Sequence, residues 1–196
     1  MFLNEAIMSE PALYKKIMLL GSGIDACIEK KLSTPALILI YSGIDTAGWL
    51  ASNEHYATKA SFMKWVDAYL LKGKLLQCTS LELYAARCGL LHTFTPNSEL
   101  SSLGKARRIY YAWGTANVRD LQRTIDLTNK TGKYVAVHVN DLYEAWRIGM
   151  LQFAEELEKD PDRKSRVDKK ADKFFSELGV DTVREVLTKL ERGKGA

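Results

Sequence analysis

Residues 78–113 read CTSLELYAARCGLLHTFTPNSELSSLGKARRIYYAW, and the change of pattern inside this stretch decides the fold class. Thr79-Ser80-Leu81-Glu82 is a capping-box sequence. The hydroxyl accepts from an amide in the first helical turn, and the carboxylate three residues on accepts from the cap's own amide. Leu81, Tyr84, Cys88 and Leu91 follow at helical spacing as the expected apolar stripe. Pro96-Asn97 marks a loop. Beyond it Ile109, Tyr110, Tyr111 and Trp113 read as a strand closed by Gly114. A helix that carries Arg87 and ends at His92 thus gives way to a polar loop and a strand led by Lys105, Arg107 and Arg108.

Toward the N-terminus the pattern predicts three more helices. The first spans Ser9 to Lys31, interrupted by Gly21 and Gly23, which are poor interior helix residues. The second is expected to use Thr34 as its cap and Pro35 as its first residue, then to run through Leu37, Ile40, Tyr41, Ile44 and Trp49. The third covers about Thr58 to Leu71, with Phe62, Trp65, Val66 and Tyr69 on one face and Gly73 at its exit.

Toward the C-terminus, residues 117–128 read as a helix and 129–133 as a turn. Tyr134 to Val139 alternates, with Val135, Val137 and Val139 on one side. This is a small βαβ-type element whose two strands suit parallel pairing. Asn140 is the expected cap of the next helix, buried through Trp146, Met150, Phe153 and Leu157 and broken at Asp160-Pro161-Asp162. Two short helices should follow. Phe174, Phe175 and Leu178 anchor one, which Gly179 stops; Asp181 caps the other, which uses Val183, Val186, Leu187 and Leu190 before a frayed tail from Gly193. The expected fold is mainly α. A four-helix bundle occupies 1–104, a strand-helix-strand-helix extension packed on it occupies 105–160, and a C-terminal helical tail occupies 161–196.

The 196 residues suffice for one good core, and 46% hydrophobic with 27% charged residues is an ordinary globular balance. A net charge of +4 permits a nucleic-acid partner without demanding one. The odd cysteine count (Cys27, Cys78, Cys88), with no Cys-x-x-Cys pair, points to reduced thiols and a cytoplasmic setting. Pro35 to Ile44 is too short to span a bilayer, and Glu5 and Glu10 do not suit a signal peptide. His55 and His138 lack partners at metal-ligand spacing, and Gly21-Ser22-Gly23 lacks the rest of a phosphate loop. Neither metal nor cofactor is expected.

The candidate chemistry lies in Arg87, His92 and Asp45. Cutting RNA without a metal needs a base for the 2′-hydroxyl, an acid for the leaving oxygen and a cation for the phosphorane. Histidine titrates near neutrality, and arginine holds two phosphate oxygens in a fixed fork. Five residues along an ideal helix turn through about 500°, which leaves the two side chains roughly 140° apart. Unwinding at His92, or a two-fold dimer with two copies around one cleft, would bring them together. The plain alternative is that Arg87 pairs with an acid such as Asp45 and His92 closes the helix. Asp45 itself sits in an apolar helix, where a carboxylate is costly unless paired. It reads equally as an orienting group for Arg87 or substrate and as a structural ion pair or a solvent-facing residue. Lys105, Arg107 and Arg108 interleave with Tyr110, Tyr111 and Trp113 as single-stranded nucleic-acid surfaces do, with Trp113 read as buried. The run Arg163, Lys164, Arg166, Lys169, Lys170, Lys173 is interrupted by acids and reads as a solvated face.

Four helices with Arg87-Cys88-Gly89-Leu90-Leu91-His92 in the fourth resemble the HEPN superfamily (higher eukaryote and prokaryote nucleotide-binding domains), whose hallmark is Arg, four to six residues, then His. The segment Ala106 to Gly114 looks like a subfamily of bacterial HEPN-like proteins. The resemblance implies an antiparallel four-helix bundle, a homodimer and a metal-independent ribonuclease site across its interface, with Asp45 where many members carry an acid. Cys88 stands where active members often have Asn, His or Asp. Many members are toxins or defence proteins, so RNA and an antitoxin-type protein are the implied partners. Others only bind nucleotides, nucleic acid or protein, which is the alternative function.

Overall fold

The computed structural model describes residues 12–173 and 180–193. Expectations for Ser9, for the anchors Phe174, Phe175 and Leu178, for Gly179 and for the tail 194–196 fall outside these residues. The side chains of Asp181, Val183, Val186 and Leu190 fall outside them too.

Helix α1, Ala12–Glu29, runs unbroken through Gly21 and Gly23. The two glycines cost it about 1 kcal/mol each in propensity, but packing repays them. The Tyr143 hydroxyl donates to the Gly21 carbonyl at 3.1 Å, and Leu39 approaches Gly23. Helix α2, Ser33–Ala51, starts before its expected cap: Leu32 holds the cap position without a side-chain bond, so Thr34 does not cap it. The chain enters through Lys31 in the left-handed region, with the Leu32 amide bonded to the Cys27 carbonyl at 2.8 Å. Pro35 becomes the third residue, still within the first turn, where a missing N–H loses no intrahelical bond.

Helix α3, Lys59–Trp65, opens with a Thr58–Ser61 capping box and widens into a π-turn over Val66–Leu70. There the Leu71 amide reaches back to the Val66 carbonyl at 2.9 Å. Helix α4, Ser80–Thr93, carries the predicted Thr79–Glu82 box, both bonds being present. Its stripe differs from expectation. Leu81, Tyr84, Cys88 and Leu91 are half-buried, whereas Leu83 and Ala85 are buried. The reason is that α4 packs on more than one side, against α2 and α3 and against the first strand.

A short helix α5, Glu99–Ser102, precedes strand β1, Arg108–Ala112. Helix α6, Val118–Leu127, crosses to strand β2, Tyr134–His138. The strands pair in parallel, as the βαβ pattern predicts, from Arg108 opposite Tyr134 to Ala112 opposite His138. Ile109, Val135 and Val137 face the core, and α6 covers the sheet with Ile125. Gln122 accepts the Ala136 amide at 2.9 Å, satisfying a strand donor that a two-stranded sheet leaves open.

Helix α7, Val139–Glu158, is capped by His138 rather than by Asn140. The His138 Nδ1 accepts the Asn140 amide at 3.1 Å, which places the ring proton on Nε2, 3.2 Å from the Gly114 carbonyl it donates to. The expected stripe Trp146, Met150, Phe153 and Leu157 is buried. Helix α8, Pro161–Ala171, starts at the predicted break, with Asp160 accepting the Arg163 amide. Helix α9 spans Val180–Gly193 and so begins one residue before Asp181.

The chain is therefore mainly helical with one small parallel sheet. Helix α2 lies at its centre, touching α1, α3, α4, α7 and α8. Its close approaches are made at glycine. A Cβ on Gly48 would stand 2.8 Å from the Ser61 carbonyl of α3, and one on Gly43 would stand 2.9 Å from Leu20 and Trp146 side chains. One cluster of buried residues joins Leu13 of α1 to Ala171 of α8.

Candidate functional site

Packing of α4 on α2 brings Asp45, Arg87 and His92 into one line. The Arg87 Nε donates to Asp45 Oδ2 at 2.6 Å, and its Nη1 donates to His92 Nε2 at 3.1 Å. Arginine has only donors to offer, so the imidazole Nε2 must accept and the ring proton of the neutral tautomer sits on Nδ1. The 140° offset is overcome without unwinding: α4 stays helical through Thr93, and the length of the arginine side chain closes the gap within one chain. Of the readings open for Asp45, the solvent-facing one is ruled out, because its carboxylate is paired.

The line runs from interior to surface. Asp45 and Arg87 side chains are 16% and 20% exposed, while His92 is exposed. Burial raises the Asp45 carboxyl above its ordinary 3.8, opposed by Arg87 and His92. Burial works against the Arg87 charge, but Asp45, with a smaller part from Cys88, more than offsets it and keeps the guanidinium charged. Asp45 and His92 take two of the five guanidinium N–H groups and the Cys88 sulfur is a further partner, which still leaves the fork with donors for an oxyanion. Beyond His92 the chain reverses at Phe94, a left-handed residue (φ 54°) whose ring is 70% exposed. The following loop lies on Gly89, where a Cβ would stand 2.5 Å from the Thr95 carbonyl.

The predicted cations fall into a second cluster. Arg107 donates Nε to Glu82 Oε1 at 2.5 Å and Nη2 to Oε2 at 3.1 Å, and reaches the Gln77 carbonyl at 3.4 Å. It bonds intramolecularly instead of standing free for phosphate. Burial works to raise the Glu82 carboxyl, but Arg107 and the Thr79 amide outweigh it and hold it below 4.5. Lys105 is exposed on the turn before β1. Arg108 donates to the Tyr134 hydroxyl at 3.3 Å and lies over that ring, 5.9 Å from its centroid. Tyr134 also stacks on Tyr110, with centroids 4.5 Å apart and planes at 10°. Tyr111 turns inward, sharing a hydrogen bond with the Tyr41 hydroxyl at 2.5 Å, and Trp113 is half-buried. Glu82 and His92 are ten residues apart on α4, so the two clusters are separated by about 15 Å of helix rise.

A cavity of about 190 Å³ lies beside this stretch of α4, lined by Ala86, Leu90, Phe94, Thr95, Arg107 and Arg108 among others. A second, of about 300 Å³, opens between Ser101, Arg108, Lys133 and Tyr134. Neither is lined by Asp45, Arg87 or His92.

The basic run on α8 is not merely solvated. Arg163 bonds the Tyr69 hydroxyl at 2.9 Å and Glu156 at 3.3 Å, and Lys164 bonds Glu158. Lys170 donates to the carbonyls of Trp49, Ser52 and Glu54 at 2.7, 2.7 and 2.9 Å, closing the C-terminal end of α2. Among the described residues no cluster of three or more His, Cys, Asp or Glu could hold a metal, and no helix is long and apolar enough to cross a membrane.

The sequence left three parts of this arrangement unread: Tyr134 as the partner of Arg108, the second role of Glu82 as the partner of Arg107, and the Lys170 clamp. Only the last carried a signal, a cation in a helix of low hydrophobicity. No protein-family model, curated protein or solved structure matches the chain.

Proposed function

We propose that the chain is a HEPN-like, metal-independent endoribonuclease of a toxin or defence system, working in the cytoplasm as a homodimer built on the four-helix bundle that its Arg–His motif suggests. The observation that carries the reading is the Arg87 guanidinium held between a half-buried carboxylate and an exposed imidazole. Asp45 fixes the fork. A phosphate oxygen takes over Nη1 and its neighbours, and stronger bonds to the phosphorane than to the ground state lower the barrier. The same exchange frees His92 Nε2 to take the 2′-hydroxyl proton. O2′ then bonds to phosphorus, the P–O5′ bond breaks, and the leaving O5′ takes its proton from the symmetry-related imidazole or from water. The products are a 2′,3′-cyclic phosphate and a 5′-hydroxyl.

A second reading is favoured by the enclosure of Arg87 in its own ion pair. It makes the chain a binding module of the same fold without chemistry, for nucleotide or nucleic acid or for an antitoxin-type protein. Incubating the protein with single-stranded RNA in chelator, beside His92→Ala and Arg87→Ala, separates the two. Cyclic-phosphate ends made by wild type and lost in both variants support the enzyme; equal background in all three overturns it.

A further inference from the structure

We propose that the groove from Phe94 to the β1–β2 sheet binds single-stranded nucleic acid, one base stacking on the Tyr110–Tyr134 pair while Arg108 and Lys133 hold the adjoining phosphate. The inference rests on the reading above in one respect only, that the ligand is a polynucleotide. It does not need His92 to cleave anything.

Four observations converge. The two cavities share Ser101 and Arg108 and so adjoin one another between the loop after α4 and the sheet. No carboxylate lines either cavity, while Arg108 and Lys133 do; Arg107 lines one of them as well, but its charge is matched by Glu82. In a chain with 24 acidic residues against 28 basic ones, a surface lined by these two cations and no acid suits an anionic polymer. Both ends are aromatic: Phe94 lines one cavity and Tyr134 the other, with Tyr110, 39% exposed, stacked on Tyr134. Ordered rings with an open face accept a base at little entropic cost, and the preference is sequence-tolerant because every base has a π-face. Finally, Arg108 lies over the Tyr134 ring and bonds its hydroxyl, which leaves the exposed Tyr110 as the platform for the base and keeps a cation one ring away, within reach of the adjoining phosphate. Single-stranded nucleic acid is the class that needs aromatic faces and cations alternating along one surface.

The arrangement also departs from the linear pattern of the sequence. Tyr111 turns inward and Trp113 lines neither cavity, and Tyr134, from the far side of the crossover, takes their place. Phe94 is two residues beyond His92 in the chain, but His92 lines neither cavity, so binding in the groove is separable from any chemistry at the imidazole.

The test is fluorescence anisotropy with 5′-labelled U12 and dT12, in chelator, using the full chain carrying His92→Ala so that no probe is consumed. Tyr110→Ala, Tyr134→Ala and Arg108→Gln, each in that background and each checked for an unchanged helical spectrum, should bind about tenfold or more weakly. Tyr134→Phe, which keeps the ring, should bind within about twofold of the parent. Arg108→Gln should also reduce the salt dependence of log Kd by about 0.7. Equal affinity for the two probes assigns a base-and-phosphate site, and tighter binding of U12 adds a contact to the 2′-hydroxyl; both support the proposal. Absence of binding to either probe overturns it, as does equal binding by all the variants. Binding lost in these variants while the wild-type chain leaves RNA intact would remove the nuclease reading alone. Cleavage by wild type with all variants binding alike would remove this site alone.

Discussion

Arg107 grips both oxygens of Glu82 and thereby ties the first turn of α4 to the first strand. Glu82 is at the same time the carboxylate of the Thr79 capping box. The pair is largely enclosed, with side chains 30% and 7% exposed. Arg107→Ala strands a buried carboxylate and should cost about 2–3 kcal/mol in urea unfolding at neutral pH.

The same carboxylate gives a pH signature. Its folded pKa lies below 4.5. An acid depressed on folding contributes stability that is fully present above its unfolded value and lost as pH falls through the folded one. Urea midpoints measured from pH 7 to pH 3 should therefore show wild type well above Glu82→Gln at neutrality, with the gap closing below about pH 4.5. A gap that is constant or widens in acid would contradict the pairing.

Asp45→Asn keeps the shape of the carboxylate but removes its charge from a guanidinium that stays half-buried. A stability loss of about 1–3 kcal/mol is expected. Cleavage, if RNA is the substrate, should fall less than in His92→Ala, for which general acid–base work implies about 10²–10⁴-fold. Arg87→Lys should not restore the rate, because an ammonium cannot bridge Asp45 and His92 with one rigid fork. Quantifying cyclic-phosphate ends in the three variants checks the order.

Gly48→Ala should destabilise the chain by about 1–3 kcal/mol, since backbone, not a flexible side chain, blocks the added carbon. Thermal unfolding followed by circular dichroism reads this directly. Gly132→Ala, where a Cβ meets nothing, is the matched control.

Lys170→Met removes an ammonium that satisfies three carbonyls and lies 5.2 Å from the centre of the Trp49 ring. A loss of about 1–3 kcal/mol is expected, together with a change in tryptophan emission.

Local chemistry was the legible part of this chain. The Thr79–Glu82 box, the Asp160-Pro161-Asp162 break and the parallel pairing of the valine strand are written within a few residues each, and they formed as read, except that the strand ends at His138 and Val139 opens the next helix. Asp45 and Arg87 were also within reach of sequence, because a carboxylate in an apolar helix has to find a cation. Partners that meet only after folding were not. Arg107 and Glu82 are 25 residues apart, Arg108 and Tyr134 are 26, and Lys170 lies 121 from Trp49. Each could have bonded elsewhere at no local penalty. His138 took the cap from Asn140 because an imidazole nitrogen accepts an amide as well as a side-chain oxygen does, and composition does not distinguish the two. Pro35 was misplaced by two positions because every residue of a first turn tolerates a lost N–H equally.

The widened turn at Val66–Leu70 closes α3 and sets the direction of the side chains it carries. Tyr69 hangs from it, donating its hydroxyl to Glu156 and receiving Arg163. Ordinary winding advances each residue by about 100°, so excising one residue there would leave a good helix aimed the wrong way. Its tyrosine would swing off both partners, and α8 would lose a hinge pin on α3 without a single apolar residue having been changed.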